Sequence, residues 1–85
     1  MPADRRPVLV ALGAAVRDLR VSRHLSQEDV AELAGLHVTY ISGIERGLRN
    51  VGFENLHKVT HGLGVDLPTL TAAVEAHLDR DAGHR

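Results

Sequence analysis

At 85 residues the chain has room for one core, and 11 acidic residues against 10 lysines and arginines leave a formal net charge of -1. The lack of cysteine excludes disulfide scaffolds, thiol catalysis and thiolate zinc sites and fits a reducing cytoplasm, and no apolar run approaches the ~18 residues of a membrane span. One tyrosine and one phenylalanine cannot build a stacking platform for single strands, so a nucleic-acid partner would be a duplex, held by a local basic face because the overall balance is neutral.

Apolar residues recur at helical spacing and no alternating strand pattern occurs, so an all-α, five-helix single domain over 1–85 is expected. Met1 to Pro7 is charged, but the apolar stretch behind it is short and has no cleavage-site pattern. Val8 to Val16 therefore reads as the buried start of a first helix running to Val21, with Leu9, Leu12, Val16 and Leu19 inward. Ser26 has the chemistry of an N-cap, with Asp29 in the capping-box position, for a helix over Gln27 to Ala34 that Gly35 ends. A third helix spans Val38 to Arg46 and is closed by Gly47. After a loop at residues 48–52 a fourth covers Phe53 to Gly62, with Leu56, Val59 and Leu63 inward and Gly64 as its stop. A fifth covers Leu67 to Asp79, and residues 80–85 are expected to fray.

The segment from Ser26 to Gly47 concentrates the information. Two short helices joined by a tight turn need a small residue where they approach, supplied by Ala31, and a residue free to take positive φ in the turn, supplied by Gly35. Val30, Ala34, Leu36, Ile41 and Ile44 would fix the pair to the remaining helices. This geometry pushes one face of the second helix outward, toward a groove of double-stranded DNA.

In the fragments Leu25-Ser26-Gln27-Glu28, Tyr40-Ile41-Ser42, Ile44-Glu45-Arg46-Gly47 and Leu63-Gly64-Val65 the sequence resembles the Cro/repressor-type helix-turn-helix proteins, across about Leu12 to Leu70. The run from Gly35 to Val51 further resembles the controller proteins of restriction–modification systems, which are small dimeric activators or repressors without a sensor domain. The resemblance implies a phosphate contact from Gln27 and base-edge reading by Val38, Thr39, Ser42 and Gly43 on the outward face of the recognition helix. It implies Tyr40 against the DNA backbone or a neighbouring base, and phosphate contacts from Arg46, Arg49 and Asn50. It also implies an ion pair between Arg20 and Glu45 joining the first helix to the recognition helix. His37, at the helix start, is placed near a phosphate. Two departures stand out. Controller proteins usually carry arginine where this chain has Val38, and arginine pairs bidentately with guanine, whereas valine offers only an apolar contact. Gly43 offers no side chain, so readout would lean on DNA shape or a different operator.

His57 and His61 stand four apart and could supply two metal ligands, but no third has matching spacing. They read as two solvent-facing polar residues, with no metal or other cofactor and no small-molecule ligand. Leu67, Leu70, Val74 and Leu78 exceed what a terminal helix should bury internally and are assigned to a homodimer interface. No nucleophile–base pair, phosphate loop or metal set suggests an enzyme. The alternative is an antitoxin-type regulator that binds a protein partner as well as DNA, against which the short tail after Leu78 weighs.

Overall fold

The computed structural model describes residues 6–82, and side-chain surroundings for 7–80. These residues form α1 (Arg6–Ser22), α2 (Gln27–Ala34), α3 (Val38–Glu45), α4 (Phe53–Leu63) and α5 (Leu67–Ala82), with no strand among them. α1 packs on α5 and α3, and α2 on α4 and α3. The shared core is Ala15 and Val16 from α1, Val30 and Ala31 from α2, Ile41 and Ile44 from α3, Val59 and Leu63 from α4, and Leu70 from α5.

Local chemistry sets most of the helix ends. Ser26 Oγ accepts from the Asp29 amide and the Asp29 carboxylate accepts from the Ser26 amide, both at 2.9 Å, which closes the expected capping box. Gly35 takes φ 71°, and the Leu36 amide then reaches back to the Ala31 carbonyl at 3.0 Å, ending α2 in the turn that sets α3. α1 ends differently. His24 adopts φ 58°, so a residue with a Cβ occupies the left-handed position while the Leu25 amide bonds the Arg20 carbonyl at 3.1 Å. Asp66 caps α5 by accepting from the Thr69 amide at 3.0 Å and from the Thr69 hydroxyl.

Several expectations are corrected. α5 runs three residues past Asp79, to Ala82, so fraying does not begin at Arg80; residues 83–85 lie outside the described residues. Val8 and Val10 stand half exposed, so the first turns of α1 are less buried than their composition implied. Leu70 is fully buried against the core, which removes it from any dimer interface, while Leu67, Val74 and Leu78 are half-buried.

Close approach also relies on two glycines beyond Ala31. A Cβ at Gly62 would sit 2.7 Å from the Val30 carbonyl and 3.0 Å from Ala34 Cβ, so only glycine lets α4 lie this near α2. A Cβ at Gly13 would sit 2.6 Å from the Glu45 carbonyl, which is how α1 reaches the end of α3. Neither position carries a sequence signal, because a helical glycine shows its use only once the neighbouring helix is in place.

Candidate nucleic-acid interface

α2 and α3 are eight residues each and are joined by Gly35, Leu36 and His37. Ile41 and Ile44 bury one side of α3 completely, and this burial dictates which residues remain outside. His37, Val38 and Thr39 are exposed at its start, Tyr40 and Ser42 are half-buried, and Arg46, Arg49 and Asn50 are exposed beyond its end. His37 occupies the N-cap position without a side-chain capping bond. The first amides of α3, at the positive end of its dipole, therefore have no side-chain acceptor at that residue.

The expected ion pair is present. Arg20 donates from Nε to Glu45 Oε2 at 2.6 Å and from Nη2 to Glu45 Oε1 at 3.0 Å, a two-point pairing whose side chains are 14% and 5% exposed. Arg20 Nη1 also donates to the Leu25 carbonyl at 2.9 Å. The hydrogen bond to Glu45 raises the Arg20 pKa against a smaller desolvation effect, so the guanidinium stays charged. Gln27 joins this network through Nε2, which donates to Glu45 Oε1 at 3.0 Å. One carboxylate thus ties α1, the first residue of α2 and the last residue of α3. It holds α3 in a fixed attitude, and it engages one N–H of the half-exposed Gln27 amide.

The outward placement expected of Gly43 is corrected. The residue is buried rather than outward, because the Arg49 side chain lies across it. The Arg49 guanidinium carbon stands 5.6 Å from the centre of the Tyr40 ring, within cation–π range. The Tyr40 hydroxyl in turn accepts from Asn55 Nδ2 at 3.3 Å. Asn55 escaped the sequence reading, since nothing in its local pattern separates it from any other polar residue in the first turn of α4. Together with Gly35, Leu36, His37, Thr39, Tyr40 and Arg49 it lines a shallow cleft beside the start of α3. Arg46 bends back, with Nε donating to the Ser42 carbonyl at 3.3 Å.

His57 and His61 are exposed, and among the described residues no group of three histidine, aspartate or glutamate side chains is placed to hold a metal ion. His77 Nε2 lies 2.8 Å from Asp18 Oδ2 and links α5 to α1. Among the described residues no helix is long and apolar enough to cross a membrane.

A buried pair of short helices, clamped through Glu45 and exposing one face of the second, defines a helix-turn-helix unit. Residues 16–70 match the helix-turn-helix family, and the chain belongs to it. Among its relatives is control protein C.BamHI of Bacillus amyloliquefaciens, 46% identical over 59 residues that cover 68% of this chain and 73% of that protein. The fold is shared with the restriction–modification controller protein C.AhdI of Aeromonas hydrophila, at 42% identity and a TM-score of 0.71, covering 73% of this chain and 94% of that one. It is shared too with the restriction–modification controller protein C.Esp1396I, solved as a tetramer with its natural 35 base-pair operator; there the identity is 30%, the TM-score 0.79 and the coverage 84% and 93%.

Proposed function

We propose that this protein is a sequence-specific, double-stranded DNA-binding transcriptional regulator. It binds a palindromic operator as a homodimer, controls a restriction–modification operon, acts in the cytoplasm and has no enzymatic activity. The observation that carries this reading is the Arg20–Glu45–Gln27 clamp, which fixes α3 rigidly while leaving Thr39 exposed at its outer face. A rigid helix with a free polar face is what entry into a major groove requires. The controller proteins among the relatives, and the operator complex of C.Esp1396I, support the same function.

Thr39, Ser42, Arg46, Arg49 and Asn50 make the DNA contacts, with Val38 offering an apolar contact to a thymine methyl and His37 near a phosphate. The second copy docks through apolar surface outside the core. Leu67, Val74 and Leu78 remain partly available on α5, and Leu48 and Phe53, 66% and 72% exposed, are the most exposed large apolar side chains among the described residues.

The test is selection of bound duplexes from a random pool, repeated at two salt concentrations. A palindromic consensus with a steep loss of affinity on raising salt is expected. Failure to retain any duplex at low ionic strength would overturn the regulator reading. A concentration-independent monomer mass at micromolar protein would overturn the dimer.

A further inference from the structure

Val38 and Gly43 bring no hydrogen-bond donor from their side chains to the reading face of α3, yet one group stands beside it with its donors uncommitted. Arg46 folds back on the Ser42 carbonyl. Among the described residues the Arg49 guanidinium makes no hydrogen bond or ion pair; it rests on the Tyr40 ring at 5.6 Å, and that ring is held at its hydroxyl by Asn55. A cation–π contact uses none of the five guanidinium N–H groups, which leaves them available to a partner on this exposed side chain.

The path that brings Arg49 there runs over Gly43. A Cβ built at Gly43 would lie 2.9 Å from Arg49 Cγ, 3.2 Å from Nε and 3.6 Å from Cδ. The arginine's Cγ, Cδ and Nε therefore crowd the space that a side chain at position 43 would fill. Backbone freedom does not explain this glycine: positive φ is confined to Gly35, Gly47 and Gly64 among the described glycines, and Gly43 lies inside regular α3.

We propose that Arg49, reaching in from the α3–α4 loop, is the base-reading side chain of this interface, and that Gly43 is the positioning residue that seats it against Tyr40. Arg49 takes over the guanine recognition that the resemblance would have assigned to an arginine at the place of Val38, pairing its two-pronged edge with guanine O6 and N7. This replaces the phosphate role first expected of Arg49, and it rests on the regulator reading above.

The experiment compares the selected base preferences of the unaltered protein with those of Arg49→Ala, Gly43→Ala, the double variant and Arg46→Ala, using duplexes drawn from the random pool. The unaltered chain should select a guanine in each half-site, and discrimination at that base pair should fall on the order of tenfold in Arg49→Ala. Gly43→Ala should reproduce that loss although the arginine is present, and the double variant should lose nothing more. Arg46→Ala should weaken all duplexes alike. Because the clash is with a flexible side chain, and alanine favours a helix interior over glycine, Gly43→Ala should melt no lower than the parent. The seat is refuted if Gly43→Ala keeps the parental preference. Uniform weakening by Arg49→Ala, with the preference intact, returns that residue to phosphate contact and overturns the base-reading role. If the unaltered protein selects no duplex, the regulator reading fails before the variants are compared.

Discussion

Glu45→Ala removes three hydrogen-bond acceptances at once, from Arg20 Nε, Arg20 Nη2 and Gln27 Nε2. The carboxylate it deletes is 5% exposed, and the Arg20 left behind is 14% exposed, with only the Leu25 carbonyl still accepting from it. Breaking a buried pair from one side costs about 3–5 kcal/mol, because a charge stays behind without its partner. Arg20 keeps one bond and some solvent, which places this case near the lower end, about 3 kcal/mol. For a domain of this size each kcal/mol moves the melting temperature by roughly 4–8 °C, so Glu45→Ala should melt roughly 12–24 °C lower. Circular dichroism melts and urea titrations of Glu45→Ala, Arg20→Ala and the double variant give the coupling directly, and the double variant should lose clearly less than the sum of the singles. Since Glu45 faces inward, the ranking of DNA sequences should survive the substitution at a temperature where the variant is folded. A melting temperature within 3 °C of the parent (~0.5 kcal/mol by the same scaling), or strict additivity of the two single variants, would show that the clamp does not hold α3.

Three further substitutions test the frame around that clamp. His24→Gly relieves a left-handed residue that costs an L side chain ~1–2 kcal/mol, offset in part by the extra freedom glycine brings to the unfolded chain, so the urea midpoint should rise with a net gain of about 0.5–1 kcal/mol. An unchanged or lower midpoint counts against the strained turn. Gly62→Val forces a side chain against the Val30 carbonyl and should cost about 1–3 kcal/mol or more; a variant as stable as the parent would mean that α2 and α4 can part freely. The Asp29 carboxylate is held below its ordinary pKa by the Ser26 amide first and the Ser26 hydroxyl second. With the folded value depressed, its contribution is complete above the unfolded pKa of about 3.9 and fades as pH falls through the lower, folded one. The melting-temperature gap between the parent and Asp29→Ala should therefore be widest near neutrality and shrink below about pH 4. A gap that persists undiminished into that acid range refutes the assignment.

Legibility followed the range of the interactions. Features closed within a few residues could be read directly: the Ser26–Asp29 box, the Gly35 and Gly64 turns, and the apolar spacing that buries Ile41 and Ile44. Arg20 and Glu45 lie 25 positions apart and were paired through the family resemblance, since nothing local links them. What stayed hidden depends on two elements meeting. Gly13 and Gly62 matter only because α3 and α2 press on them, and Gly43 is covered only because a loop residue six positions later lies across it. Leu70 illustrates the same limit on α5, where a helical stripe shows that one face is apolar and leaves open whether the chain's own core or a second copy covers it. Asp66 and Asn55 are ordinary polar residues until a cap or a tyrosine hydroxyl comes within reach.

The bond from Gln27 to Glu45 bears on how strongly one copy can hold a duplex. One N–H of the Gln27 amide is engaged by Glu45, and neither Val38 nor Gly43 offers a polar side-chain group, so the proposed reading surface is sparse, with Thr39, Ser42 and Arg49 at its centre and Arg46 and Asn50 beside them. The chain has no surplus of positive charge to compensate, at a net -1, and long-range attraction to the phosphates is correspondingly weak. Rigidity offsets part of this, because α3 is already fixed by its clamp and loses little freedom on binding. On the proposed reading the remainder comes from joining two copies. Once one recognition helix is seated, the second meets its half-site, about 34 Å away along the duplex, at an effective concentration far above that of free protein. On the proposed reading, occupancy then rises more steeply than the first power of concentration, and the apolar surface around Leu48 and Phe53 sets the threshold while Arg49 sets the sequence.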